Sequence, residues 1–161
     1  MDKSKLVYAL RAQIDEEIAE MRRYARDAAE AATHEEARAE SDKDMRSTEA
    51  SYLARGQAER VASLERSSAL LATMQLAAFG PGDGIAVSAV VELAQGERRQ
   101  YYFLVPPGVD GGRRVALGDL SIQTLGPSSP LGSALIGQTA GDDVEVPSRQ
   151  GTRDFDILRV W

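Results

Sequence analysis

The two halves of this 161-residue chain differ in the spacing of their apolar residues. From Ser4 to Phe79 these residues recur at intervals of three, four and seven, as in an amphipathic helix. This stretch contains no proline, Gly56 is its one glycine, and it is rich in the helix formers Ala, Glu and Arg. After a break at residues 80–82, apolar and polar residues alternate as in half-buried strands. The pattern predicts a helical unit over residues 1–79 and a β-rich unit over residues 80–161.

The helical half carries two apolar seams separated by a polar stretch over residues 41–48. The first seam consists of Val7, Ile14, Met21 and Ala28, with Ile18, Ala25 and Ala32 between them. The second, more polar seam consists of Ala50, Ala54, Gln57, Val61, Leu64, Ser68, Leu71, Gln75 and Ala78. A single helix cannot bury its own stripe, so the seams predict an antiparallel coiled-coil hairpin with its tip near Ser41 and Asp42. Each arm would span roughly 50 Å.

The second half predicts an α+β unit with a small antiparallel sheet and one short helix. Strands are expected at residues 85–93, 101–105, 114–117, 121–125, 144–146 and 155–160, with a turn at residues 95–97. Ser129 is placed to cap the helix, Pro130 suits its first turn, and Gly137 suits its end.

Composition narrows the possible chemistry. The chain has no Cys and one His, which excludes disulfides, thiolate zinc sites and imidazole-rich metal cages. A metal ion would therefore have to be a hard cation on carboxylates. The net charge of -6 argues against broad wrapping of nucleic acid and favours a protein partner. No apolar run is long enough to span a membrane and the charged start lacks a secretory core, so a cytosolic protein is expected.

Several local motifs near the end of the chain occur in a familiar order. They are Ser129-Pro130-Leu131, Ala134-Leu135-Ile136-Gly137, Gly141-Asp142 and Ile157-Leu158-Arg159-Val160. Together with the preceding helical half, they resemble the Gre-type (GreA/GreB-like) transcription elongation and transcript cleavage factors. The resemblance implies a coiled coil followed by an FKBP-like domain that binds bacterial RNA polymerase at its secondary channel. It implies an accessory factor and not an enzyme, and it assigns Ser129, Pro130 and Leu131 to polymerase docking.

The predicted tip departs from the family pattern Asp-Leu-x-Glu-Asn-x-Glu-Tyr, whose first two acids help to hold a second Mg²⁺ in the polymerase active site. Aligning Asp42 with the family Asp puts Met45 at the Glu position. Aligning Tyr52 with the family Tyr puts Met45 and Thr48 at the two acid positions. One or two carboxylates with water and phosphate oxygens can still bind Mg²⁺. Asp44, supported by Asp42 or Glu49, is therefore the candidate Mg²⁺ ligand, shared with the polymerase; alternatively these acids form a solvated, capped turn.

Four functions remain open from the sequence. The first is a secondary-channel factor that stimulates cleavage of backtracked RNA, with contact to the RNA 3′ end or DNA only inside the polymerase complex. The second is a Gre-like regulator that occupies the channel without cleavage. The third is a stand-alone coiled-coil scaffold, and the fourth is an FKBP-like folding helper that would use Tyr101, Tyr102, Phe103 and Phe155 as a prolyl pocket.

Overall fold

The computed structural model describes residues 1–36, 43–80, 82–148 and 151–161, and for residues 31–50 it describes no side chains. Two long helices come first, followed by a sheet with one short helix. Their bounds are α1 Lys3–Glu36, α2 Lys43–Thr73, β1 Val90–Gln95, β2 Arg98–Leu104, β3 Arg114–Leu117, β4 Leu120–Leu125, α3 Pro130–Leu135, β5 Asp143–Ser148 and β6 Gly151–Val160. Within the described ranges, no helix is long and apolar enough to cross a membrane.

The six strands form one mixed sheet in the order β3-β4-β2-β1-β6-β5. The β1–β2 hairpin turns at the predicted residues, with Gln95 opposite Arg98. The prediction of an antiparallel sheet is wrong at one pair, because β2 and β4 run parallel, with Tyr101 opposite Ile122. The tight β3–β4 hairpin turns around Gly118, whose φ is +60°, and β4 is its inner strand. Apolar alternation predicts strands but not which strand lies beside which, so this crossover was not predictable.

Each face of the sheet has its own apolar core. Val90 and Phe103 belong to the cluster shared with the long helices, whereas Val91 and Leu93 belong to the cluster on the opposite side. Because successive strand residues point to opposite faces, β1 is buried on both sides and lies near the middle of the sheet. The chain therefore folds as three layers: long helices, sheet, and α3 with its flanking loops.

The first half of α1 packs against the sheet as well as against α2. Leu6, Leu10, Ile14 and Ile18 are buried in the same cluster as Phe103. The predicted seam contained Ile14 and Ile18 but not Leu6 or Leu10. The residues that contact the sheet are spaced four apart along α1. A seven-residue coiled-coil repeat does not contain all of them, so that repeat did not predict Leu6 and Leu10.

Polar contacts join the middle of α1 to the second half of α2. Asp15 accepts a hydrogen bond from Ser68 at 3.1 Å, Glu17 pairs with Arg60, and Arg22 pairs with Glu65.

Leu64 and Leu71 of the second predicted seam are buried. Helix α2 ends at Thr73, before the predicted end at Phe79, so Gln75 and Ala78 of the predicted seam lie beyond the helix. The predicted tip at Ser41 and Asp42 lies outside the described residues.

An ionic network ties both long helices to the loop between β2 and β3. Glu17 lies 2.7 Å from the Arg113 guanidinium and 3.1 Å from that of Arg60, which in turn reaches Asp110 at 2.7 Å. Burial by itself would raise the pKa of Glu17, but hydrogen bonds and charge from Arg113 and Arg60 outweigh burial and lower it. The network fixes the base of the helices on the sheet.

Replacing Glu17 by Gln is expected to lower the free energy of unfolding by about 1 kcal/mol at neutral pH, because the pair is partly exposed. Since the folded-state pKa is lowered, the stabilisation is present above the unfolded pKa of about 4.3 and disappears as the pH falls through the folded value. Urea unfolding at pH 7 and below pH 4 measures both effects. The control is Glu16→Gln, at an exposed neighbour with no ion pair in the described structure. An equal loss in both variants, or a loss independent of pH, would contradict the assignment.

Candidate functional site

Ser129 begins α3 as its N-cap, as the sequence predicted. Its backbone is extended, with φ -70° and ψ 156°, and its Oγ accepts a hydrogen bond from the Gly132 N–H at 3.1 Å. The same hydroxyl donates to the Gly126 carbonyl at 2.7 Å. Ser129 thus links the end of β4 to the first turn of α3 and orients the residues that follow it.

Pro130 is exposed at the first position of α3, where its missing N–H costs nothing. Leu131 is half-buried and packs against the apolar cluster on this side of the sheet, and Leu135 is fully buried there. Among the predicted docking residues, Pro130 is therefore the freest to meet a partner. Ile136, from the second of the sequence motifs, is 41% exposed just after α3.

Gly132 allows α3 to lie directly on the loop after β4. A Cβ built on Gly132 would overlap the Gly126 carbonyl oxygen and lie 2.9 Å from Ser129 Oγ. This close contact depends on the path of the loop after β4, which the sequence alone does not reveal.

The end of α3 is held by the segment before β1 and by a polar turn before β5. Gly137 donates its N–H to the Ile85 carbonyl at 2.8 Å, and Ile85 donates back to Gln138 at 2.8 Å. Asp142 accepts hydrogen bonds from the backbone and the side chain of Thr139, which lower the pKa of its carboxyl group. Both ends of α3 are therefore fixed, so Pro130 lies on a rigid support.

The structure places two of the three candidate Mg²⁺ ligands at the start of α2. Asp44 is its second residue and Glu49 its seventh, whereas Asp42 lies outside the described residues. Five residues correspond to about 140° around a helix axis, so Asp44 and Glu49 do not share a face. Acidic side chains near the N-terminus of a helix also interact favourably with the helix dipole. This interaction is a structural explanation for the acids at the start of α2. Among the described side chains, no group of three His, Cys, Asp or Glu residues is arranged to hold a metal ion.

The aromatic residues considered for a prolyl pocket lie on different faces of the sheet. Phe103 is buried in the cluster with the long helices, and Phe155 is buried in the opposite cluster. Tyr102 shares the second cluster, whereas Tyr101 packs with the first. These rings do not line one cavity, and their burial accounts for them as core residues.

Comparison with known proteins points to one family. The family model described as "Transcription elongation factor, GreA/GreB, C-term" matches residues 81–161. Thermus aquaticus Gfh1 is 20% identical over 92% of each chain, with a TM-score of 0.38. GreA factor homolog 1 (Gfh1) of Thermus thermophilus is 20% identical over 94% of each chain, with a TM-score of 0.38. The transcription elongation factor GreA/GreB of Nitrosomonas europaea is 21% identical over 61% of this chain and 78% of its own, with a TM-score of 0.38. A search of curated proteins gives no match. Because the family model covers half of the chain, from the segment before β1 to the last strand, this protein belongs to the GreA/GreB transcription elongation factor family.

Proposed function

We propose that this protein binds bacterial RNA polymerase at its secondary channel and acts there as an accessory factor without an active site of its own. Residues 80–161 would form an FKBP-like docking domain, and residues 1–79 an antiparallel coiled-coil hairpin that enters the channel. The observation that carries the proposal is the family match over residues 81–161, the part of the chain that presents Pro130 on a rigid support.

The dimensions of the helices support a channel-entering role. With 34 residues, α1 extends about 50 Å, and only its first half is buried against the sheet. From Arg22 to Glu30 all of its residues are exposed, so the remainder of the helix leaves the globular part. This shape suits a partner that contacts the sheet and α3 outside a channel and accommodates the two long helices inside it.

The docking contact is assigned to the first turn of α3, with Ser129 as the positioning residue and Pro130 and Leu131 as the contact residues. Pro130 is exposed and fixed from both sides, which reduces the conformational entropy lost on binding. Leu131 also contributes to the core, so its replacement would mix docking with stability.

Pro130→Ala is expected to weaken binding to core RNA polymerase about tenfold, as loss of one good interface contact does. The variant should remain folded, because alanine is tolerated in a first helical turn. Binding can be measured by fluorescence anisotropy of labelled protein titrated with polymerase. The matched control is Pro107→Ala, at an exposed proline in the β2–β3 loop. Wild-type affinity of a folded Pro130→Ala protein would remove the assignment.

The docked protein could act on the polymerase in two ways. In the first, the tip carboxylates of Asp44 and Asp42 supply ligands to a Mg²⁺ shared with the polymerase, which cleaves backtracked RNA. Carboxylate oxygens suit Mg²⁺, and two-metal sites stabilise attacking and leaving oxygens. Glu49 is the weaker candidate, since it lies about 140° from Asp44 around α2. In the second, the protein occupies the channel and regulates synthesis without cleavage, which Met45 and Thr48 at the family's acid positions favour.

The proposal is tested by adding the protein to stalled elongation complexes and following RNA length in the presence of Mg²⁺. Shortened transcripts indicate the first activity. Inhibited extension with no shortening indicates the second. Failure to co-purify with core polymerase would overturn the proposal and leave a stand-alone scaffold.

A further inference from the structure

The charged residues of the strands are separated between the two faces of the sheet. On the face that carries the long helices, the strand acids are Glu92, Asp143, Glu145, Asp154 and Asp156. On the other face, the alternation of side chains along the strands places arginines and glutamines and, among the described strand residues, no carboxylate. We call this second surface the arginine face; its arginines are Arg98, Arg114 and Arg153, and its glutamines are Gln95, Gln100 and Gln123.

The strand register brings these residues into one surface. Arg114 lies opposite Gln123 in the β3–β4 pair, and Gln123 lies opposite Tyr102 in the β2–β4 pair. Arg98 and Gln100 precede Tyr102 on the same side of β2. Arg153 lies two residues before Phe155, which is buried on this face. The positive charges of Arg153 and Arg114 both reach the Tyr102 hydroxyl, where they oppose the increase in pKa caused by burial.

The arginine face is open at the end away from α3. Leu104 and Leu125 are buried in the cluster that α3 covers. Two residues before Leu125, Gln123 is half-buried, and the three arginines, on β2, β3 and β6, are exposed. Nothing in the described part of the chain packs over them.

The three arginines of this face have no carboxylate partner among the described residues, in contrast to those on the opposite face. There, Glu92 is buried with 3% of its side chain exposed, and it pairs with Arg99 at 2.7 Å and with Arg159 at 3.8 Å. The fold thus neutralises arginines on the helix side and leaves those on the arginine face available to a ligand.

We infer that the arginine face binds an acidic segment of a partner protein in an extended conformation. Guanidinium groups bind carboxylates through paired hydrogen bonds, and the glutamines between them can pair with peptide groups. From Arg114 to Arg98 the register gives roughly 17 Å, which about five extended residues would span. A single anion would be too small to use the whole surface.

A nucleic acid fits this surface less well. Sheet surfaces that bind single strands stack bases on exposed aromatic rings. Tyr102 is 9% exposed and its hydroxyl already donates to Gln100 at 2.7 Å, so no ring is offered for stacking. The net charge of -6 repels any polyanion in general, and capture of an acidic segment must then depend on this local surface.

The test uses the full chain and a fluorescein-labelled ten-residue peptide of alternating glutamate and serine. Anisotropy at low ionic strength should show saturable binding that the double variant R98Q/R114Q, which changes the two ends of the path from Arg114 to Arg98, weakens at least about tenfold. The control R23Q/R66Q makes the same change in net charge at exposed arginines on the long helices. When the titration is repeated at 0.1 M salt, where the Debye length is about 10 Å, the control should bind the peptide within about twofold of the wild type. Thermal unfolding verifies that both variants fold.

Four results would overturn the inference. The first three are no binding of the glutamate peptide at low salt, equal weakening in both double variants, and tighter binding of a single-stranded RNA of equal charge. Tighter RNA binding would identify a nucleic-acid surface instead. Peptide-induced amide shifts in NMR spectra should fall on β2, β3 and β4, and shifts confined to other elements would also contradict it. Because the test omits polymerase, its outcome is independent of the proposed function.

Discussion

Gly132→Ala is expected to lower the free energy of unfolding by about 3 kcal/mol, near the upper end for overpacking of a single site. The added Cβ would overlap the Gly126 carbonyl oxygen, which is backbone and cannot move aside without moving the end of β4. It would also crowd Ser129 Oγ, the N-cap of α3. For a chain of this size, the midpoint of thermal unfolding should fall by roughly 10 °C.

The matched control is Gly56→Ala, which makes the same chemical change in the interior of α2. A Cβ at Gly56 meets nothing within 4 Å, and alanine is the better helix former. This variant should therefore be more stable than the wild type by about 0.5–1 kcal/mol. Urea unfolding of the three proteins gives the two changes directly. A stability of Gly132→Ala within about 1 kcal/mol of the wild type would show that α3 does not depend on this close approach.

Elements governed by local signals were predictable. The two long helices follow from periodicity and composition, and the β1–β2 turn follows from the glycine at residue 96. The N-cap at Ser129 and the proline after it predicted the start of α3 to the residue. Each of these features depends on residues that are near one another in the chain.

Features that depend on distant residues were missed. The parallel pairing of β2 with β4 and the burial of Leu6 and Leu10 under the sheet both require knowledge of which elements meet. Glu92 is a further case, since a carboxylate within an apolar strand gives no sign that Arg99 and Arg159 will cover it. The network of Glu17 was hidden for the same reason, because its partners lie 43 and 96 positions away.

The candidate site was predictable to different degrees at its two ends. At the docking end, the residues were identified and the structure adds that Pro130 is exposed while Leu131 is half-buried. At the tip, helical geometry separates Glu49 from Asp44, which a list of nearby acids in the sequence did not reveal. Asp44 with Asp42 is therefore the pair on which the cleavage proposal depends.

If the docked protein stimulates RNA cleavage, Asp44→Asn should reduce that stimulation by at least about tenfold, by analogy with the loss of metal affinity when a site's carboxylates are altered. Asparagine keeps the size of the side chain but removes the charge that attracts Mg²⁺. Raising the Mg²⁺ concentration should partly restore cleavage, a response that a purely steric role would not give. Binding to polymerase should be unchanged, because the docking residues belong to α3.

Two controls separate tip chemistry from a general loss of negative charge. Glu59→Gln removes one exposed acid from α2 well away from its start, and Glu49→Gln removes one on a different face from Asp44. Both should retain most of the stimulation, since a ligand of Mg²⁺ must bring its oxygen to about 2 Å from the ion. Unchanged cleavage by the double variant Asp42→Asn, Asp44→Asn would disprove the assignment. If the parent protein inhibits RNA extension without cleavage, and Asp44→Asn inhibits equally well, then the two long helices act by occupying the channel and the acids serve only the start of α2.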